Sequence, residues 1–191
     1  NSDEVTYSGA LYSTTGFKID PEGNRHTSVK LHPSAIIVAD TIWNLYESQA
    51  TFYARGMSVR EFRIEHLGQF VTLNGVLHKD VDDRLKVVFN RLNLKQFLKG
   101  SESGSLSFAG EVDGELTLRD YYREPVLTSN LTISDFYFNG VNYGALRLNS
   151  SWNRELEALT VSTLLSKDGT ESLRGFGLFH PGDQFLDFQF N

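Results

Sequence analysis

The residues in this chain that could do chemistry are scattered. The five histidines are His26, His32, His66, His78 and His180. No two of them share metal-ligand spacing on one helix, and there is no H-E-x-x-H pattern to hold a catalytic zinc. Asp80, Asp82 and Asp83 resemble a calcium loop only in being acidic. The mid-loop glycine and closing glutamate that such a loop needs are missing, so a solvated hairpin tip is expected. No G-x-S-x-G, Walker or dinucleotide-binding pattern opens a helix. Carboxylates are plentiful, but nothing singles out an acid and base pair. Asn130-Leu131-Thr132 and Asn149-Ser150-Ser151 fit the glycosylation pattern, and strand alternation accounts for both without it. No enzymatic activity, metal or cofactor is expected.

The strongest signal is apolar, from Gly104 to Leu118. Gly104, Leu106, Phe108, Gly110, Val112, Gly114, Leu116 and Leu118 alternate with Ser105, Ser107, Ala109, Glu111, Asp113, Glu115 and Thr117. Successive strand residues point to opposite faces, so this is a strand, or two, with one greasy face and one wet face. A helix would spread the same residues around its circumference. Glycines on the apolar face predict bends or bulges, and a bent sheet with one apolar face curls around something.

The elements on either side read mostly as strands. Pro21-Glu22-Gly23-Asn24 is a turn between strands near Leu11–Ile19 and Thr27–Leu31. Ala35 to Leu45 reads as one β-rich run. Strands follow near 50–54, 62–64, 71–73 and 85–89. A short helix is expected after Asn93 as N-cap, with Leu94, Phe97 and Leu98 on one face and Gly100 as C-cap. It is either a connecting turn packed on the sheet or a plug over the apolar face. The Ser/Gly-rich stretch near 100–105 is a possible modular boundary within a single 1–191 segment. Beyond it, Leu127, Ser129, Leu131 and Ile133 share a face, a bend is expected near Asp135, and Gly140 and Gly144 bracket a turn. Leu146, Leu148 and Trp152 lie on one face, Leu159 to Leu165 form a strand, and Lys167-Asp168-Gly169-Thr170 signals a hairpin. A weak repeat pairs Trp43-Asn44 with Trp152-Asn153, Leu73-Asn74-Gly75 with Leu173-Arg174-Gly175, His78 with His180, and Leu85–Asn90 with Leu186–Asn191.

Composition narrows the function classes. The chain has 191 residues, 40% hydrophobic and 22% charged, with a net charge of −6 and no cysteine. Nucleic-acid binding needs a basic patch and is not expected. Disulfides and thiolate zinc sites are excluded. The longest aliphatic run, Ala35 to Ala39, is far short of the ~20 residues that cross a bilayer as a helix. The alternation still running at Phe188-Gln189-Phe190-Asn191 leads us to expect a piece of a longer protein, whose cut edge would pair with copies of itself.

The run 104–118, then Pro125-Val126-Leu127, Leu131-x-Ile133-x-Asp135-Phe136, Gly140 and Gly144-Ala145-Leu146, resembles the TamB family of translocation and assembly module proteins, related to AsmA-like proteins. The earlier part is similar to TamB-like proteins of Bacteroidetes: Ser34 to Asp40 with Trp43, Val59 to Ile64, His66, Leu73-x-Gly75 and Asp83-x-Leu85-x-Val87. The resemblance covers about residues 26–191. Short turns and the lack of a long amphipathic helix lead us to expect an all-β, predominantly antiparallel fold; the resemblance implies that its sheet is elongated and curved into an open taco-like groove, whereas the apolar face alone would equally suit a two-sheet sandwich. The resemblance also implies a periplasmic segment of an inner-membrane-anchored envelope protein, a TamA-type outer-membrane partner, and phospholipid acyl chains as cargo. The lining it implies is Leu106, Phe108, Val112, Leu116, Leu118, Leu131, Ile133, Leu146 and Leu148. The reading from another class is a surface β-sandwich for adhesion or glycan binding, with Trp43 and Trp152 stacking on sugar rings.

Overall fold

The computed structural model describes residues 7–19, 21, 23–38, 40–78, 80, 82–98, 107–120, 126–180 and 185–191. The strands are β1 (Tyr7–Ala10), β2 (Ser13–Ile19), β3 (Arg25–Leu31), β4 (Ser34–Val38), β5 (Thr41–Leu45), β6 (Ser48–Tyr53), β7 (Gly56–His66), β8 (Gln69–Leu77) and β9 (Arg84–Asn93). A five-residue helix, α1 (Leu94–Leu98), precedes β10 (Phe108–Arg119), β11 (Val126–Phe138), β12 (Val141–Asn153), β13 (Ala158–Lys167), β14 (Thr170–His180) and β15 (Phe185–Phe190). All 15 strands belong to one antiparallel sheet. It is open, with β15 at one edge and β1 and β2 at the other. The expectation of an all-β antiparallel sheet holds, as one sheet and not a two-sheet sandwich.

The apparent fork in the sheet is a crease. Ala10 pairs with Ala35 and Ser13 with Leu31; Ser34 pairs with Leu45 and Leu31 with Ser48; Leu45 pairs with Ile64 and Gln49 with Arg60. Thus β1–β2, β3–β4 and β5–β6 are three long strands, each interrupted at the same level. Pro33, which cannot donate to a ladder, sits at one interruption. Hydrogen bonds bridge the line: His32 N to Tyr12 O at 2.8 Å and Tyr46 N to Arg63 O at 3.0 Å. With the crease resolved, every long strand pairs with its sequence neighbours, so the whole sheet is an up-and-down meander.

Short turns account for the meander. Asp168 and Gly169, with φ of 51° and 77°, close the β13–β14 hairpin as expected. The expected bend near Asp135 is a bulge: Ile133 pairs with Leu146 and Phe136 with Gly144, leaving an extra residue at Asp135, φ 47°. Two expectations need correcting. Ala35–Leu45 is not one run but the hairpin β4–β5, turned at Asp40 with φ 63°. Gly144 lies within β12, and the turn it was expected to share belongs to Asn139 and Gly140.

One buried cluster shows that the sheet curls. Trp43 on β5 is 0% exposed and packs with Leu92 on β9 and Val112 on β10. In the sheet order Trp43 sits three strands from Leu92 and four from Val112, about 14 and 19 Å in a flat sheet at ~4.8 Å per strand. One buried cluster reaching across that separation requires the sheet to bend towards the apolar face. Leu94 of α1, Ile36 and Val38 of β4, and Leu131 and Ile133 of β11 pack on the same cluster. Asn93 caps α1 as expected, its Oδ1 accepting from Lys95 N at 3.1 Å. The expected C-cap, Gly100, and the 100–105 stretch lie outside the described residues. The strands on either side of that stretch, β9 and β10, are hydrogen-bonded neighbours.

Candidate functional site

The apolar face is continuous because the register aligns it strand by strand. One row runs Leu45, Ile64, Val71, Phe89, Gly114, Leu131, Leu148, Thr163, Gly175 and Phe190. A second runs Phe62, Leu73, Val87, Leu116, Ser129, Ser150, Val161, Gly177 and Phe188. A third runs Leu92, Val112, Ile133, Leu146, Leu165 and Leu173. The reverse face is wet: Arg63, Thr72, Val88, Glu115, Asn130, Asn149 and Ser162 oppose one another in the same way. Ion pairs lie along it, Lys86 with Glu115 and Arg91 with Glu111. Both Asn-x-Ser/Thr asparagines, Asn130 and Asn149, are exposed there.

The expected lining residues do not form a uniform set. Val112 is core, 6% exposed, and Leu131 and Ile133 pack against that core. Leu116, Leu118, Leu146 and Leu148 lie on the apolar face half-buried. Phe108 is exposed and meets the rings of Phe136 and Phe138, with centroids at 6.4 and 5.4 Å. Leu106 lies outside the described residues. A closed sandwich would bury such side chains against a second layer. The surface area agrees with an open sheet: 12431 Å² is exposed, against about 9,200 Å² for a compact monomer of this mass.

Sequence reasoning missed three features of the face. Trp43 is its anchor, sealed from solvent with the His66 ring 5.6 Å away. It is therefore not a sugar-stacking platform, and Trp152 is half-buried. Ser129 and Ser150 set a polar step in the second row, their hydroxyls hydrogen-bonded at 2.6 Å. Gly175 and Gly177 are small because the Phe188 ring lies across both; a Cβ at either would strike it. The sequence-level repeat does not extend to conformation. Gly75 has φ 132° beside a bulge, whereas Gly175 sits in regular pairing.

The polar candidates are dispersed. His66 Nδ1 is 2.8 Å from Ile42 O, His32 Nε2 is 2.8 Å from Thr14 Oγ1, and the His26 and His78 rings flank Tyr53. Asp83 Oδ2 accepts from the amides of His78 and Asp80, and Asp80 Oδ1 from that of Asp82. These carboxylates hold their own loop together. Among the described residues no group of three or more His, Asp or Glu could hold a metal ion, and no helix is long and apolar enough to cross a membrane. No family model, curated protein or solved structure matches the chain.

Proposed function

We propose that the curled apolar face is a trough for lipid acyl chains, in a segment of an envelope-spanning protein that moves phospholipid between membranes. The observation that carries this reading is the row of directly opposed residues from Ile64 to Phe190, apolar or glycine but for Thr163, unbroken by charge and half open to solvent. An acyl chain in water costs ~0.8 kcal/mol for each exposed CH₂. A continuous apolar floor offsets that cost at every step along the row, while the headgroup stays in water at the rim. The floor carries no fixed clamp of charged groups, so tails can slide and selectivity is low. Periplasmic placement and an outer-membrane assembly partner of the TamA type belong to the same proposal and rest on the TamB resemblance.

The test is photo-crosslinking with phosphatidylethanolamine and phosphatidylglycerol vesicles. A diazirine residue at Leu116 or Leu148 should capture phospholipid, and one at Glu115 or Asn149, on the opposite face, should not. Equal capture from both faces, or capture from neither, contradicts the trough.

A further inference from the structure

The two rims of the trough, where the strands turn, differ in chemistry, and we propose that they orient the lipid. The phosphate headgroup stands at the rim made by the β8–β9, β10–β11 and β12–β13 connections, and the tails lie along the strands towards the rim roofed by Trp43 and α1. This orientation rests on the trough reading and adds a direction to it. The roofed rim is apolar. Leu92 is the last floor residue of β9 before α1, it is buried with Trp43 and Val112, and Leu94, Ile36 and Val38 pack on the three. The turns of that rim present Leu67 and Val141, 87% and 54% exposed. The other rim is open and charged. Its floor residues, Leu85, Leu118 and Leu127 in one row and Trp152, Leu159 and Phe179 in another, are opposed strand by strand, and none is buried. Its connections carry Asp80, Asp82, Asp83, Arg154, Glu155 and Glu157. Trp152, two residues inside Arg154, is half-buried, and an indole suits a boundary with one apolar and one wet side.

Two arginines mark the place of the phosphate. Arg84 and Arg119, one residue outside Leu85 and Leu118, oppose each other directly across the β9–β10 pair. Both are exposed, and among the described residues neither makes an ion pair. Alternation puts both on the wet side of the open rim, where a headgroup leaving the floor meets water. Like charges directly opposed across two strands are destabilising. A phosphodiester shared by the two guanidinium groups replaces that repulsion with charge-assisted hydrogen bonds. The length of the floor fits the tails. Leu118 to Val112 on β10, and Trp152 to Leu146 on β12, are each six residues, about 20 Å of strand at ~3.4 Å per residue. The acyl layer of one leaflet is ~15 Å deep, half of the hydrocarbon core of a bilayer. A lipid lying along the strands thus keeps its tails on the floor while it moves sideways from strand to strand.

Two phosphatidylethanolamine photo-probes in phosphatidylglycerol vesicles test this on the 191-residue chain, one with its diazirine on the headgroup and one with it at the acyl terminus. Labelled residues are read by peptide mass spectrometry. The headgroup probe should label Arg119–Asp120 and Arg154–Glu157, and the tail probe Ile133, Leu146 and Leu165. Headgroup label spread equally over 154–157 and 139–141, or found mainly on the latter, overturns the orientation while leaving the trough standing. Absence of tail label from the apolar face overturns both. Arg84→Gln combined with Arg119→Gln should cut headgroup labelling about tenfold, the scale of a lost hydrogen bond to a charged group. Its melting temperature should hold or rise, since a like-charge pair is gone. Unchanged labelling overturns the phosphate contact, and so does a loss accompanied by a lower melting temperature, which would make the two arginines structural.

Discussion

The backbone amide of Arg91 donates to the side chain of Asp113 across the β9–β10 pair, at 2.9 Å. The same device stands two strands earlier, where Glu61 N donates to Asn74 Oδ1 at 2.6 Å. Glu61 and Arg91 are bulge residues with φ of 57° and 48°. In each case the residue after the acceptor is glycine, Gly75 or Gly114, with φ of 132° and 127°. The next strand presses close, so that a Cβ would strike Arg84 O or Asn130 O respectively. A bulge re-phases one strand and keeps its apolar residues on the inner face. The side-chain acceptor then satisfies the amide that the bulge frees.

This recurring device yields a contrast in glycine substitutions. Gly114→Ala, at a left-handed position against a carbonyl, should lower stability by about 1–3 kcal/mol. Gly16→Ala, with nothing near its missing Cβ and no positive φ, should be neutral or slightly stabilising. Urea unfolding midpoints of the two variants check this.

Trp43 holds strands that are distant in the sheet order against one another. Trp43→Ala should cost about 3–5 kcal/mol, the usual loss for a buried aromatic. The signature of its role as a clasp is local. Hydrogen exchange should quicken in β4 and β5 well before it does in β12 to β14.

Val112 and Leu116 are four residues apart on one face of one strand, yet they differ in surroundings. Val112→Asp places a carboxylate in the buried cluster and should abolish cooperative folding, costing several kcal/mol. Leu116→Asp stays partly wet, so the domain should remain folded while lipid capture falls. If thermal melts show the two variants equally destabilised, the open-trough assignment of Leu116 fails.

The Ser129–Ser150 pair allows a double-mutant cycle. Ser150→Val alone leaves the buried Ser129 hydroxyl without its partner, at a cost of about 1–3 kcal/mol. Adding Ser129→Val should recover most of that loss, because removing both polar groups can be nearly neutral. Chemical denaturation of the four proteins gives the coupling energy.

Much of this was legible in the sequence, for local reasons. Alternation from Phe108 to Leu118 identified the strand and its faces, since side-chain period is a property of the strand alone. Asp168-Gly169 and Asn93 declared a turn and a cap through their own chemistry. The β4–β5 hairpin was hidden because its turn at Asp40 has no glycine or proline beside it. Trp43 was misjudged because period tells which face a residue is on, not what covers that face. Covering came from curling, which depends on bulges such as those at Glu61 and Arg91, neither of them a residue type that announces a left-handed backbone as glycine does. The same blindness put the buried Val112 among the open lining.

The meander also makes the molecule a ruler. With the crease resolved, each long strand hydrogen-bonds only with its predecessor and its successor in the chain, so no strand inserts between earlier ones. Every strand added to such a sheet lengthens it by about 4.8 Å, and removing one from the end leaves the remaining register intact. The distance spanned by the apolar floor is therefore written as a count of hairpins, and it can be lengthened or shortened by duplication or deletion without redesigning anything in between.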